Sequence, residues 1–168
     1  MDLVKKHVLE KATMTRIRFR AALTLGAALS VALSANAAAE EHVIKAVVTN
    51  WMPLVTYAKP GDTLKFMQMA GHDTEVVAGM LPQGAKVWKS KMGQEGFSVK
   101  LDQQGAYIYK CNPHMTTGMV GAVVVGDGAP VNLAELDKSL NDVKLGKNMV
   151  ARAIKKMKQE LQKAGKLP

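Results

Sequence analysis

The fold and the chemistry of this chain are decided by one stretch of sequence, Cys111-Asn112-Pro113-His114-Met115-Thr116-Thr117-Gly118-Met119. Residues 107–109 before it continue a period-two pattern. Residues 120–125 after it form a continuous apolar run, which is typical of a strand buried on both sides. The stretch is therefore predicted to be a loop held by β-sheet at both ends. Such a loop brings its Cys, His and Met side chains to one small centre.

A further imidazole lies far upstream at His72, in Gly71-His72-Asp73. Copper that cycles between Cu(I) and Cu(II) needs donors that both states accept: thiolate and thioether favour Cu(I), and imidazole suits either. Two His and one Cys in a plane with a weak axial Met form a type 1, or blue, copper site. These residue types predict that one copper ion is held by His72, Cys111, His114 and Met119.

The spacing of this group is hard to obtain by chance. With four His and 11 Met in 168 residues, the probability of finding His three residues and Met eight residues after a given Cys is about one in 600. Each residue alone has a structural explanation, since a single Cys often behaves as a small buried hydrophobe and Met fills cores. Zinc also accepts Cys and His donors, but the thioether makes zinc a poorer fit.

The first 39 residues are predicted to be a secretory signal peptide that is cleaved. Arg16, Arg18 and Arg20 form a basic start, residues 21–33 are apolar and small, and residues 35–39 offer two small-x-small cleavage sites. The apolar run is too short to span a bilayer. A retained anchor helix is the alternative. The mature protein is expected in the periplasm, without attachment to the membrane.

Charge and cysteine content narrow the classes of function. Removing residues 1–39 takes six basic and two acidic residues from totals of 23 and 14, which leaves a net charge of +5. That charge favours an acidic partner. The sequence contains no arginine-rich or aromatic-interleaved patch, so nucleic-acid binding is not predicted. Cys111 is the single cysteine, and an idle exposed thiol is a liability in an oxidising compartment. Its sulfur is therefore expected to be buried or bound by a metal.

Short β-branched or alternating segments dominate the middle of the chain. Gly and Pro turns such as residues 59–62 separate them, which predicts an antiparallel sandwich for residues 40–128. The predicted strands cover residues 43–49, 54–58, 63–68, 97–101, 107–111 and 120–125. Residues 80–95 lose the pattern and are interpreted as a long surface excursion.

The hydrophobic period changes after residue 128. Asn132 is a candidate cap for a short helix that ends near residue 140. A second helix is predicted over residues 147–163, because four apolar side chains recur there at helical spacing. They are Val150, Ile154, Met157 and Leu161. Residues 129–168 are thus expected to form a helical extension packed on the same domain.

Several segments resemble the pseudoazurins, a family of cupredoxins. They are residues 71–75 (GHDTE), 79–85 (GMLPQGA), 88–91 (WKSK), 109–114 (YKCNPH) and 118–121 (GMVG). The Cys-x2-His-x4-Met spacing is shared with plastocyanins, whereas the Gly-Met-Leu-Pro and Trp-Lys-Ser-Lys segments favour the pseudoazurins. The resemblance covers residues 53–136. It implies an all-β cupredoxin fold, a Greek-key sandwich of about eight strands with two C-terminal α-helices.

The resemblance also implies a function, that of a periplasmic type 1 copper electron carrier and not an enzyme. Members of the family often deliver electrons to copper nitrite reductase or accept them from cytochromes. The matching positions make His72, Cys111, His114 and Met119 the copper ligands.

By the same resemblance, His114 should reach the surface in an apolar docking patch ringed by lysines. The residues that frame the patch here are Met80, Pro82, Pro113 and Met115. The lysines are Lys89, Lys91 and Lys110. Their expected role is to steer an acidic-surfaced reductase or cytochrome into a weak, fast encounter.

The chain departs from the family pattern at three places. Asp73 replaces the usual Asn after the first His, which is expected to lower the reduction potential or loosen the link between the two ligand loops. Ala70 stands where a Lys is usual. Residues 42–53 are shorter than the family's first strand and loop. These departures suggest a divergent member, for which a role with nitrite reductase does not follow automatically.

Two other functions compete with the carrier. A periplasmic copper chaperone or store is suggested by methionines expected at the surface, namely Met52, Met67, Met69 and Met92. A thiol enzyme would use Cys111 as nucleophile and His114 as base, but no oxyanion donor or third orienting residue accompanies them.

Overall fold

The computed structural model describes residues 38–168, so most of the predicted signal peptide, residues 1–39, lies outside the described residues. Within residues 38–168 the strands are β1 (Glu41–Val47), β2 (Asn50–Met52), β3 (Val55–Ala58), β4 (Thr63–Met67), β5 (Glu75–Val76), β6 (Phe97–Lys100), β7 (Gly105–Lys110) and β8 (Val120–Val125). The helices are α1 (Leu133–Ser139) and α2 (Lys147–Lys163), with a 3-10 turn at Leu140–Asp142 between them.

The eight strands of this described part form two four-stranded sheets, ordered β2-β1-β4-β6 and β3-β8-β7-β5. The predicted sandwich with two C-terminal helices is confirmed. The prediction that it is wholly antiparallel is wrong, because β1 pairs with β4 and β3 pairs with β8 in parallel. Between the two strands of each parallel pair, the chain crosses to the other sheet and back. Such a crossover connection allows the second strand to run in the same direction as the first.

All six predicted strands are present, with ends that differ by at most two residues. The sequence did not reveal β2 and β5, which have three and two residues and are too short to display a period of two. Strand β5 positions one of the predicted ligands. Its Glu75 and Val76 pair with Lys110 and Tyr109 of β7, which places the segment after His72 beside the strand that leads into Cys111.

An aromatic cluster fills the space between the sheets. Trp51, Phe66 and Tyr109 lie with ring centroids 5.4–5.5 Å apart, within the range of favourable tilted and edge-on contacts. Gly121 faces Tyr109 across β7 and β8, and a Cβ at that position would lie 2.4 Å from the Tyr109 side chain. Glycine is therefore required there for the tyrosine to pack against β8.

The helices cover the outer face of the second sheet. Every residue of β8 is buried, as the continuous apolar run predicts. The predicted apolar face of α2 is confirmed, since Val150, Ile154, Met157 and Leu161 are all buried in a cluster with residues of β7 and β8. Within residues 38–168, no helix has the length and apolar character needed to cross a bilayer.

Two local expectations need correction. Asn132 does precede α1, but its side chain makes no capping bond to the helix. Its side chain instead accepts from the Ala106 N–H and donates to the Ala106 carbonyl, both at 2.8 Å. Residues 80–95 are not wholly a surface excursion either, because Trp88 is buried in the inter-sheet core and its indole N–H donates to the Thr74 hydroxyl at 3.2 Å.

His42 is half-buried, and its Nε2 atom is hydrogen-bonded to the Asp62 carboxylate at 2.8 Å. The Asp62 carboxylate also accepts the backbone N–H groups of Glu40 and Lys59, at 2.9 and 2.7 Å. Burial alone raises the pKa of this carboxyl, but the three donors outweigh it and lower the pKa to about 2. Asp62 thus fixes the start of β1 to the turn before β4.

We expect Asp62→Asn to lower the free energy of unfolding by about 1–3 kcal/mol at neutral pH, because it removes the charge that three donors share. The difference from the parent protein should shrink as the pH falls from about 4 toward 2, since a carboxyl with a lowered pKa stabilises the fold only while it is ionised. Urea denaturation across this range measures it, with the exposed Asp127→Asn as control. A difference that stays constant from about pH 5 to pH 2 contradicts this role.

Candidate metal centre

The first predicted ligand, His72, lies in a tight turn between β4 and β5. Its N–H donates to the Met69 carbonyl at 2.8 Å, and its own carbonyl accepts the Gly93 N–H at 2.8 Å. Gly71 just before it has φ of +76°, a left-handed conformation that glycine adopts at low cost. The backbone of His72 is therefore held from both sides.

The other three predicted ligands lie on one loop between β7 and β8. The Cys111 N–H donates to the Met119 carbonyl at 3.0 Å, and the Met119 N–H donates to the His114 carbonyl at 3.0 Å. These bonds close the loop on itself, so that its first and last ligand residues are adjacent. Cys111 and Met119 are both fully buried. The sheet and the loop's own backbone together determine where these side chains lie.

The structure brings His72, Cys111 and His114 together. The Cys111 Sγ atom lies 3.6 Å from His72 Nδ1 and 3.5 Å from His114 Nδ1, and the potential donor atoms of the three residues all lie within 4.8 Å of one another. At distances typical of metal–imidazole and metal–thiolate bonds, about 2.0 and 2.3 Å, a trigonal metal separates nitrogen from sulfur by about 3.7 Å. The observed separations fit one metal ion shared by the three residues.

Burial favours the uncharged forms of His72 and Cys111. Burial lowers the pKa of His72, and the nearby His114 lowers it further. Burial also raises the pKa of the Cys111 thiol, although backbone N–H groups of Asp73 and His114 act against that rise. A neutral imidazole is the metal-binding form of His, and a metal ion would deprotonate the thiol.

Comparison with known proteins agrees with this geometry. The family model of copper binding proteins, plastocyanin/azurin family, matches residues 42–126. The pseudoazurin of Methylorubrum extorquens is 41% identical over 114 residues, which cover 64% of this chain and 75% of the relative. The pseudoazurin of Paracoccus pantotrophus is 34% identical over 122 residues, which cover 68% and 83%. The chain belongs to the pseudoazurins.

Solved pseudoazurin structures show the same architecture. That of Methylobacterium extorquens AM1 aligns with a TM-score of 0.58 and 34% identity, over 71% of this chain and 98% of that one. The Sinorhizobium protein aligns with a TM-score of 0.58 and 31% identity, over 68% and 94%. The chain therefore has the cupredoxin fold, its cofactor is one type 1 copper, and it is a copper electron-transfer protein.

Asp73, which departs from the pseudoazurin pattern, still links the two segments that carry the ligands. Its carboxylate accepts the backbone N–H of Asn112 at 2.6 Å and the side-chain Nδ2–H at 2.8 Å. Asp73 thus forms a link between the two loops, since its carboxylate oxygens accept both hydrogen bonds and no amide donor is needed, and the expectation that this link is looser than with Asn stays a prediction. Its predicted effect on the reduction potential stays a prediction.

The expected apolar frame of His114 differs in the structure. Met80, Pro82 and Met115 are buried, and only Pro113 is exposed beside the half-buried His114. Met80 and Met115 belong to the core cluster on the helix-covered face of the second sheet, and Pro82 lies beside Gly105, at the opposite end of β7 from Cys111. The methionines expected at the surface are not all exposed: Met52 and Met92 are exposed, whereas Met69 is fully buried.

Sequence reasoning missed Glu75, which lies between two of the three predicted lysines. Its Oε2 atom accepts the Asn112 Nδ2–H at 2.7 Å and lies 3.5 Å from Lys89 Nζ and 3.7 Å from Lys110 Nζ. The predicted lysines are therefore unequal: Lys89 and Lys110 are paired, whereas Lys91 forms no ion pair with any described residue. The sequence does show a Glu three residues after the ligand His72, which marks Glu75 as close to the site. No sequence pattern indicates which lysines it faces.

Proposed function

We propose that the mature protein is a periplasmic type 1 copper electron carrier, with His72, Cys111 and His114 as the equatorial ligands and Met119 as the weak axial one. The observation that carries this proposal is the pair of imidazole Nδ1 atoms 3.5 and 3.6 Å from one buried thiol. The chemistry of the donor set agrees, because these donors suit both oxidation states of copper.

The copper supplies a reversible one-electron change. The protein's part is to hold the donors where both oxidation states accept them, so that little has to move between the states. Hydrogen bonds within the loop and burial of Cys111 and Met119 serve that purpose. His114 is the half-buried ligand beside the exposed Pro113, and this edge is where we propose a redox partner approaches.

The enclosed site favours a carrier over a copper chaperone or store. A protein that delivers copper needs an accessible site from which the metal is readily transferred, whereas Cys111 and Met119 are fully buried. Alkylation of the copper-loaded protein distinguishes the electron carrier from the thiol enzyme. A copper-bound sulfur resists the reagent, whereas a catalytic nucleophile reacts with it.

We expect copper(II) to give the metal-free mature protein an intense thiolate-to-copper absorption band that saturates at one equivalent and bleaches reversibly on reduction. Cys111→Ser should abolish the band, because the hydroxyl cannot replace the thiolate. His72→Asn should alter or remove it, whereas the matched His42→Asn, outside the site, should retain it. Absorption titration measures all four proteins, and copper uptake without the band would favour the storage function.

The export signal and the family resemblance support a periplasmic location. For partners, we propose an acidic-surfaced reductase or cytochrome that docks at the edge near His114, where Lys89, Lys91 and Lys110 lie. Lys89 and Lys91 are exposed, and Lys110 is half-buried. Surface charge of this kind chiefly raises the rate of encounter and adds little to the lifetime of the complex, which suits a protein that must release its partner.

We expect the double variant Lys89→Glu, Lys91→Glu to lose about ten-fold or more in its rate of oxidation by the anion hexacyanoferrate(III) at low ionic strength. The reversed charges repel the anion, so the usual fall in rate with added salt should flatten or invert. Stopped-flow absorption follows the reaction. The control is Lys65→Glu, Lys100→Glu in the first sheet, at lysines that pair with Glu41 and Asp102. Equal rates in the two double variants would exclude Lys89 and Lys91 from the docking edge.

A further inference from the structure

Glu75 is placed between two lysines by the backbone itself. It faces Lys110 across β5 and β7 and faces Lys89 through an isolated antiparallel bridge. Directly opposed residues in antiparallel pairs have their side chains close together. The contacts of 3.5 and 3.7 Å to the two Nζ atoms therefore result from strand register and not from a chance arrangement of flexible side chains.

The three side chains differ in exposure. Glu75 and Lys110 expose 26% and 22% of their side chains, whereas Lys89 exposes 64%. Exposed ion pairs are weak, because water screens them and the side chains lose freedom to form them. Lys89 is therefore easily drawn away by another carboxylate, while Lys110 and the short bond from Asn112 hold Glu75 in place.

The charges around the docking edge nearly cancel in the free protein. Lys89, Lys91 and Lys110 supply three positive charges, and Asp73 and Glu75 supply two negative ones. An approaching anion thus meets much less net charge than the lysines alone would present. Glu75 is the more exposed of the two acids, since Asp73 is 5% exposed.

We propose that Glu75 is the specificity-determining residue of the docking edge, an internal competitor that a partner's carboxylate must displace from Lys89. This inference rests on the proposed docking function. A partner with closely spaced carboxylates replaces Glu75 at Lys89, while Glu75 stays bound to Lys110 and Asn112. Partners with isolated or weak negative charge gain little, because Lys89 is already neutralised.

Glu75 is also a positioning residue for the ligand loop. The Asn112 Nδ2 atom donates to Glu75 at 2.7 Å and to Asp73 at 2.8 Å, and Asn112 directly follows Cys111. The negative charge of Glu75 favours the more positive oxidation state of a nearby metal. Removal of this charge should therefore raise the reduction potential. A residue with a merely structural role would not shift the potential in a defined direction.

Glu75→Gln tests the inference with little disturbance, because the Gln side-chain oxygen can still accept from Asn112. We expect its rate of oxidation by hexacyanoferrate(III) to fall more steeply as salt is added, so that the ratio of the rates at low and high ionic strength rises about two- to four-fold. The salt dependence is the deciding readout, since a change in driving force alters the rate at every salt concentration alike. The matched control is Glu41→Gln, another Glu paired with a lysine (Lys65 at 3.1 Å), in the first sheet.

A double-mutant comparison isolates the competition for Lys89. In a Lys89→Ala background, the effect of Glu75→Gln on the salt dependence should fall well below its effect in the parent protein. If Glu75→Gln does not fold, Glu75→Asp replaces it. The shorter side chain retains the charge but withdraws from Lys89, and it should also steepen the salt dependence of the reaction with the anion.

The outcomes separate this inference from the function on which it rests. If reversal of Lys89 and Lys91 leaves the kinetics unchanged, the docking proposal fails and this inference fails with it. If that reversal slows the reaction but Glu75→Gln leaves the salt dependence unchanged, only the role of Glu75 is overturned. A steeper salt dependence together with a raised potential, neither seen in Glu41→Gln, supports it.

Discussion

The metal centre depends on the link between the Asp73 carboxylate and Asn112, which joins two segments 39 residues apart in the chain. One segment carries His72 and the other begins with Cys111. Without such a link, the distance between the imidazole and the thiol would vary with the relative motion of two loops. The carboxylate accepts the backbone N–H and a side-chain N–H of Asn112, at 2.6 and 2.8 Å, so neither segment can shift without breaking hydrogen bonds to a buried charge. Such bonds are costly to leave unmade.

The sandwich supplies the rigidity on which that link relies. Strands β7 and β8 are buried on both faces, by the aromatic cluster on one side and by α1 and α2 on the other. The ligand loop spans the ends of these two strands, so its first and last residues are attached to strands that are buried along almost their whole length. Tyr109, two residues before Cys111, packs closely against Gly121, two residues after Met119. Close-packed interiors of this kind resist displacement.

Much of this arrangement was predictable from the sequence, because its signals are local. The period of two around residues 97–101, the apolar run at 120–125 and the helical spacing from Val150 to Leu161 each identify an element without reference to the rest of the chain. The Cys, His and Met spacing likewise identifies the ligand loop. The parallel pairing of β1 with β4, the burial of Met80 and the position of Glu75 between two lysines depend on which strands become neighbours. That information is spread over the whole chain, so no local pattern reveals it.

We expect the fold to hold the ligands in position before copper binds. Crystal structures of the mature protein, metal-free and copper-loaded at the same pH, test it most directly. We predict that the Asp73–Asn112 bonds persist and that the distances from Cys111 Sγ to the two Nδ1 atoms change by no more than a few tenths of an ångström. A metal-free structure with His72 or His114 turned away, or with the Asp73–Asn112 bonds formed only when copper is bound, would contradict it.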